Sequence, residues 1–328
     1  MTILRMLSLA ALSVSSAFAS FPACAQSDPA AGWPKQPVKI VVGLAAGSIN
    51  DIQTRVIAAK LAERLGQPVL VENRVGAGGN IGAEFVARAA PDGYTLLTGP
   101  TSTITVNPAI FTKLAYDPQR DFVPVTQIST YQLYLTVNAD LPVKSVAELV
   151  THAKANPAKA NLGSPSTVFE LVTAMLGQQS GAKFETIPFK GTNDTMTALL
   201  TNQVMIGWQD YNSVNQHAKA GKVRVIATTG RNRSSDLPNV PTMAEAGFPG
   251  IELEPLTGIF APKATPMPIV RKLQTEIQAI LKAPDVVDRW TSITMTPVGS
   301  TSEEFASYIA SEIKRWTAVA KAANIKLD

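Results

Sequence analysis

Cysteine and histidine are almost absent from this chain of 328 residues. Cys24 is the only cysteine, and His152 and His217 are the only histidines. Disulfides, thiolate nucleophiles and cysteine-ligated metals need cysteine, while many general bases and metal ligands are histidines. The sequence also contains no G-x-S-x-G or H-E-x-x-H motif, which are signatures of common hydrolases. These absences predict a protein that is not an enzyme and holds neither a metal nor another cofactor.

Charge is also scarce, at 16 % of residues against a typical share of about 25 %. The 29 lysines and arginines are interspersed with 25 acids, give a net charge of +4 and form no basic run. Nucleic-acid-binding proteins usually concentrate basic residues on one face or in one segment, so we expect no nucleic-acid partner. The apolar share of 45 % is that of an ordinary globular protein and argues against intrinsic disorder.

A long hydrophobic run occurs only at the amino terminus. Arg5 precedes an apolar stretch of small residues, and residues 23–25 form an A-x-A cleavage pattern. Residues 1–25 are therefore predicted to be a secretory signal peptide, because the stretch is too short for a membrane span of about 20 residues. The mature chain would begin at Gln26. A lipid anchor on Cys24 is the disfavoured alternative, since the residues before it match a lipidation site poorly.

The rest of the chain alternates short β-branched runs with longer amphipathic segments, which predicts an α/β fold. The first unit has a strand at 38–42 and a helix at 51–65 that ends at Gly66. Its core face is predicted to hold Ile52, Val56, Ala59 and Leu65. A second α/β unit is predicted between residues 145 and 229.

Two segments contain sequence motifs that predict the start of a helix. Thr301 and Glu304 have the spacing of a capping box and predict the start of the last helix. The glycine-rich segment 75–82 has Ile81 where a dinucleotide-binding fingerprint requires glycine. We therefore interpret it as a tight turn into a helix at 83–89.

Three predicted strand-to-helix turns are rich in Gly, Ser, Thr and Asn, at residues 47–51, 99–103 and 164–167. Free backbone N–H groups and hydroxyls at helix starts favour anions, and such turns gather at one end of an open α/β sheet. A carboxylate ligand would suit them. The competing interpretation is that each hydroxyl only caps its own helix.

Motifs along the whole predicted mature chain resemble the Bug-type solute-binding proteins of tripartite tricarboxylate transporters. They are WPKQPV at 33–38, VENR at 71–74, GAGGNIG at 76–82, PDGYT at 91–95 and LPNVPT at 237–242. The resemblance implies a periplasmic protein with a type 2-like periplasmic-binding-protein fold, two α/β lobes, a hinge and an interlobe ligand cleft. It assigns residues 33–130 and 250–328 to lobe 1 and 131–249 to lobe 2.

By the same resemblance, the protein captures a small carboxylate and delivers it to the membrane permease subunits of the transporter. We expect a monomer. A periplasmic ligand-sensing module for a signalling partner is the alternative function, since it would use the same fold.

The implied ligand-binding residues lie in the turns that face the cleft. They are Ala46, Gly47, Ser48, Asn50, Thr101, Ser102, Thr103, Ser164, Ser166, Thr167, Thr192 and Asp210, to which we add Trp208 as an aromatic residue at a cleft-facing turn. Asp51 belongs to the same family turn, but we interpret it as a helix cap because its charge would repel a carboxylate.

Departures from the family pattern bear on the ligand. The turn at 46–51 lacks the usual proline and one glycine, and Asn50 replaces a threonine. Gln209 stands where the family often has an acid, which argues against an amino-acid ligand. Trp208, together with Tyr131 near the expected crossing between the lobes and a short turn at 164–167, favours an aromatic mono- or dicarboxylate such as terephthalate. The alternative is that Trp208 is a core or hinge residue. An aliphatic di- or tricarboxylate is the competing prediction.

Overall fold

The computed structural model describes residues 30–322 and 324–326, whose strands form two sheets. The predicted signal peptide, Cys24 and Gln26 lie outside these residues. In spatial order β11-β4-β10-β3-β1-β2, the first sheet contains β1 (Val38–Val42), β2 (Val69–Asn73), β3 (Thr95–Pro100), β4 (Phe122–Thr130), β10 (Leu256–Pro262) and β11 (Thr296–Pro297). In order β7-β6-β8-β5-β9, the second contains β5 (Tyr134–Asn138), β6 (Asn161–Ser164), β7 (Glu185–Pro188), β8 (Ile206–Gln209) and β9 (Val223–Thr228).

Both sheets are mixed, and each combines three parallel strands with antiparallel ones. In the first sheet β1 pairs in parallel with β2 and β3, while β10 lies antiparallel between β3 and β4. In the second, β6 is parallel to β7 and β8, and β5 is antiparallel to β8 and β9. Strand β1 is apolar except for Lys39 and its other residues are buried, as expected of a strand that lies inside a sheet covered by helices. The carboxyl ends of the parallel strands are where connecting turns can build a site.

The helices connect and cover these strands. They are α1 (Ile49–Leu65), α2 (Asn80–Ala87), α3 (Asn107–Ile110), α4 (Pro118–Asp121), α5 (Val146–Ala155), α6 (Thr167–Ser180), α7 (Thr192–Leu200), α8 (Tyr211–Lys219), α9 (Met267–Leu281), α10 (Pro284–Ser292) and α11 (Ser302–Ala322). The predicted α/β fold is confirmed. In the part of the chain that the structure describes, no helix has the length and apolar character to cross a membrane.

The chain passes between the sheets twice, from β4 to β5 and from β9 to β10. The lobe boundaries at residues 131 and 250 remain predictions. The hydrophobic core beside the second sheet, called the second core below, also contains residues from outside the segment assigned to lobe 2. They are Val106 and Ile110 before and in α3, Ile251 and Leu253 before β10, and Trp316 and Ala320 of α11. The end of the last helix therefore packs with the second sheet although it follows the first in sequence.

The predicted core face of α1 is wrong. Ala59 is exposed and Ile52, Val56 and Leu65 are only partly buried. The opposite face is buried and combines apolar residues, Ile57, Ala58 and Leu61, with polar ones. Thr54 Oγ1 lies 2.8 Å from Thr98 Oγ1 on β3. Gln53 accepts a 2.8 Å hydrogen bond from Ser129 on β4. Polar residues are buried on α1 because the adjoining strands supply polar partners for them.

Helix starts and two strands also differ from the expectations. The helix after the glycine-rich turn begins at Asn80 rather than residue 83. Strands β4 and β5 have no counterpart in the sequence-based assignment. The capping box that opens α11 is confirmed in both directions: Glu304 N–H donates to Thr301 Oγ1 over 3.1 Å, and Thr301 N–H donates to the Glu304 carboxylate over 2.9 Å.

Candidate functional site

A cleft of about 690 Å³ is lined by segments that follow strands of both sheets. The carboxyl ends of β1, β2 and β3 face those of β6, β7 and β8 across it, and α1, α6, α7 and α8 begin at its walls. The residues from the predicted site that line it are Ala46, Gly47, Ser48, Asn50, Thr101, Ser102, Ser166, Thr192 and Asp210. The positive ends of four helix dipoles therefore converge on one space.

The turn between β1 and α1 is held by a reciprocal pair of hydrogen bonds. Ser48 caps α1 and accepts from the N–H of Asp51 over 3.3 Å, while the Asp51 carboxylate accepts from the N–H of Gly47 over 2.9 Å. Asn73 Nδ2 and the guanidinium of Arg55 also donate to that carboxylate. The Asp51 side chain is therefore fully occupied in shaping the turn.

The electrostatics of Asp51 follow from these contacts. Burial alone would raise the pKa of this carboxyl, but the hydrogen bonds from Arg55, Gly47 and Asn73 outweigh burial and hold its pKa below the usual range. Asp51 is only 2 % exposed. The carboxylate is thus a charged structural anchor, as the capping interpretation expects.

Asn50 presents a different group to the cleft. Its Oδ1 accepts a 2.8 Å hydrogen bond from the Thr257 hydroxyl on β10. This bond fixes which end of the amide is which, so the group that Asn50 can offer to the cleft is its Nδ2 donor. An amide donor at a helix start suits an anion.

The turn after β3 continues as a π-helical turn, Ser102–Val106, that leads directly into α3. The Thr101 hydroxyl accepts from the N–H of Leu256 over 2.6 Å and so joins the turn to β10. Ser102 lines the cleft beside it. π-Helical turns are rare and often occur at functional sites.

On the opposite wall, α6 and α7 begin without side-chain caps. Ser166 occupies the N-cap position of α6 but makes no capping hydrogen bond, and the N-cap of α7 is Gly191. The Ser166 hydroxyl and the first N–H groups of both helices are therefore not used by such caps. Helix α8 differs, because the Asp210 carboxylate caps it and accepts from the N–H of Ser213 over 2.9 Å.

A sequence model of the tripartite tricarboxylate transporter family receptor matches residues 53–325. The chain belongs to this receptor family. Its fold is similar to that of the periplasmic binding protein BugD, with a TM-score of 0.82 and 32 % identity over 90 % of this chain and 99 % of BugD. The predicted type of protein, a binding protein rather than an enzyme, is confirmed by this membership.

Two other solved relatives contain bound ligands. An R. palustris protein solved with adipate has a TM-score of 0.84 and 32 % identity, covering 90 % of this chain and 99 % of its own. MatC from Rhodopseudomonas palustris, solved with malate, has a TM-score of 0.81 and 33 % identity, covering 87 % and 99 %. The likeness of these receptor structures extends over nearly all the described residues.

Four residues predicted to bind ligand in this receptor do not line the cleft. Trp208 is fully buried in the second core, where its Nε1–H donates to Thr173 Oγ1 of α6 over 2.9 Å. Side chains alternate along a strand, and the face of β8 that carries Trp208 packs against α6. The indole therefore packs in the core and is not available to stack on a ligand.

The other three are hydroxyl residues with different surroundings. Ser164 donates to the carbonyl of Ser166 over 2.8 Å, inside its own turn. Thr167 donates to Asn107 Oδ1 over 2.8 Å and so joins α6 to α3. Thr103 is buried, and its hydroxyl has no hydrogen-bond partner among the described residues. Gln209 is fully buried and does not line the cleft either.

Four further residues line the cleft, namely Tyr131, Phe169, Phe189 and Lys190. Tyr131 formed part of the aromatic prediction and Lys190 begins the predicted turn that contains Thr192, whereas neither phenylalanine was predicted. Phe189 and Lys190 directly follow β7, and parallel strand ends are where cleft residues are expected. Phe169 had no such signal, because a phenylalanine in the first turn of an apolar helix is usually a core residue. The described residues contain no cluster of three or more His, Cys, Asp or Glu side chains suited to a metal ion.

Proposed function

We propose that this protein captures a small carboxylate in the interlobe cleft, in the periplasm, and delivers it to the permease subunits of a tripartite tricarboxylate transporter. The observation that carries the proposal is the pair of helix starts, α6 and α7, that open onto the cleft without side-chain caps. Their N–H groups can donate to a carboxylate, and the helix dipoles favour its charge.

Side chains on both walls add to this preference. The Nδ2 group of Asn50 is held by Thr257 on one wall, and Ser166 contributes a hydroxyl on the other. Lys190 lines the same cleft and brings a positive charge. The relatives solved with adipate and malate hold dicarboxylates, which supports this ligand chemistry for the present chain.

The residues that line the cleft also bear on whether the ligand is aromatic or aliphatic. The case for an aromatic acid rested in part on Trp208, whose ring lies in the core. Tyr131, Phe169 and Phe189 nevertheless line the cleft and supply aromatic surface. We therefore propose an aliphatic dicarboxylate as the first choice, and terephthalate as the aromatic acid that should compete with it if these three rings contact ligand.

The test is calorimetric titration of the purified mature protein with succinate, malate, adipate, citrate, benzoate and terephthalate, beside an Asn50→Asp variant. The aspartate retains the oxygen that accepts from Thr257 and places a second, negatively charged oxygen where the donor was. We expect carboxylate affinity to fall at least tenfold in this variant, because a donor is replaced by a like charge.

Asn239→Asp is the matched control, since Asn239 is exposed and does not line the cleft. It should leave the affinity unchanged. Absence of binding by every acid would contradict the proposed function, whereas binding that survives Asn50→Asp would remove only Asn50 from the site. Deletion of the gene should abolish uptake of the bound acid; intact uptake with lost signalling would favour the sensing alternative.

A further inference from the structure

Asp210 is a buried acid on the wall of a cleft that is otherwise suited to an anion. It is 8 % exposed, lines the cleft and follows β8 directly. Ser213 fixes its carboxylate, with the N–H donating over 2.9 Å and the hydroxyl lying 3.1 Å from either oxygen. The acid is therefore held in place by its own helix.

The bonds from Ser213 leave the Asp210 carboxylate able to accept further hydrogen bonds. Its two oxygens can together accept about four hydrogen bonds, and the Ser213 N–H and hydroxyl supply two hydrogens. The remaining capacity can accept only from a donor. A ligand carboxylate placed beside Asp210 would instead meet a like charge in a partly dehydrated site, which is strongly unfavourable.

Tyr131 contributes the complementary group. It follows β4, lines the cleft and packs against both hydrophobic cores, so it lies at the junction of the two sheets. Burial raises the pKa of its phenol, and the negative charge of Asp210 raises it further. The phenol therefore stays protonated and can donate. Tyr134 on β5 pairs with Gln209 on β8, which places Asp210 beside the segment that leads from Tyr131 into β5.

We infer that Asp210 and Tyr131 select a ligand hydroxyl group, so that the ligand is a hydroxycarboxylate. A hydroxyl can accept from the Tyr131 phenol and donate to the Asp210 carboxylate at the same time, whereas a carboxylate only accepts and an ammonium only donates. This inference rests on the proposed function, because the carboxyl end of the ligand is placed at the uncapped helix starts.

The experiment compares acids that differ only by a hydroxyl: malate with succinate, and 4-hydroxybenzoate with benzoate. Calorimetry on the wild-type protein should give at least tenfold tighter binding of the hydroxylated acid in whichever pair binds, because sites that pair a hydroxyl discriminate against analogues that lack it. Asp210→Asn should narrow this ratio about tenfold, because the ligand hydroxyl loses its charged acceptor and can donate only to a neutral amide oxygen. Tyr131→Phe should narrow it through loss of the phenol donor.

The Asp210→Asn variant is expected to fold, because asparagine can also cap α8. Asparagine is about as good an N-cap as aspartate, so Asp210→Asn keeps the bond to Ser213 N–H. The matched control is Asp117→Asn, the same change at the exposed N-cap of α4, where Asp117 accepts from Gln119 N–H over 2.9 Å. It should leave the hydroxyl ratio unchanged.

Two results would overturn the inference while leaving the proposed function intact. One is equal affinity of the wild-type protein for both members of each pair that binds. The other is a hydroxyl ratio that Asp210→Asn and Tyr131→Phe both leave unaltered. Failure of every carboxylate to bind would overturn the proposed function, and this inference with it.

Discussion

Replacing Asp51 by asparagine tests whether the cleft turn is held by a buried charge. The two carboxylate oxygens have different partners: Gly47 N–H and Arg55 Nε donate to one, and Asn73 Nδ2 and the second Arg55 nitrogen lie against the other. Whichever way the asparagine amide turns, its NH₂ group faces a donor. The substitution is isosteric, so its effect measures hydrogen bonding and charge rather than volume.

The magnitude follows from the contacts that are lost. A hydrogen bond to a charged group contributes about 1.5 to 3 kcal/mol, and Asp51→Asn should lower the free energy of unfolding by about 2 to 4 kcal/mol once the donor–donor contact is added. Arg55 contributes only part of this, because its side chain is 51 % exposed and solvent weakens its attraction to the carboxylate. Arg55→Met is therefore the matched control: Gly47 and Asn73 still donate to the carboxylate in this variant, so its loss should be smaller than that of Asp51→Asn.

The same prediction has a pH dependence. The pKa of Asp51 is lowered in the folded protein from its ordinary value of 3.8, so its charge stabilises the fold above that pH. The stabilisation is lost as the pH falls below 3.8 and through the folded-state pKa. The difference in unfolding free energy between the wild-type protein and Asp51→Asn should therefore shrink in acid.

Urea unfolding at pH 7 and at several acidic pH values measures both effects, and calorimetry measures affinity in parallel. Because Gly47 and Ser48 line the cleft, Asp51→Asn should also weaken ligand binding. A change in unfolding free energy below about 0.5 kcal/mol, the usual range for surface substitutions, would refute the reasoning. A larger loss in Arg55→Met than in Asp51→Asn would refute it as well.

Two further predictions concern the core and the amino terminus. Trp208→Phe removes the donor to Thr173 and part of a buried ring, so the unfolding free energy should fall by about 1 to 3 kcal/mol in urea titrations, while calorimetry should show unchanged ligand selectivity; a changed selectivity would place the ring in the site. Mass spectrometry of the exported protein should give a chain that begins at Gln26, and a diacylated Cys24 or an intact Met1 would contradict the predicted cleavage.

Strand β1 could be predicted because its apolar residues lie close together in the sequence. Val38–Val42 is apolar except for Lys39 and lies between turn residues, and a strand covered on both faces needs mostly apolar residues. Strand β4 gives no such signal. It contains Thr126 and Ser129, whose buried side chains have partners far away in sequence: Thr126 donates to Ser300 O over 2.7 Å, and Ser129 donates to Gln53.

The site could be predicted in part for a related reason. Turns after parallel strands gather at one edge of a sheet, and Ser48, Thr101 and Ser166 accordingly line one cleft. Which face of β8 turns toward α6 depends on packing between elements distant in sequence, and Trp208 was misplaced for that reason. The bond from Thr167 to Asn107 joins residues 60 positions apart, and spacing along the chain carries no signal for it.

The distribution of helix caps around the cleft is an argument for function in its own right. Ser48 and Asp210 cap α1 and α8, but no side chain caps α6 or α7. A good N-cap stabilises a helix by about 1 kcal/mol. Helices α6 and α7 both lack this stabilisation, although Ser166 has a hydroxyl that could cap α6. A helix start without a side-chain cap is expected where a binding site needs the free backbone N–H groups. The N–H groups left without caps at α6 and α7 open onto the cleft, where an anionic ligand can accept from them.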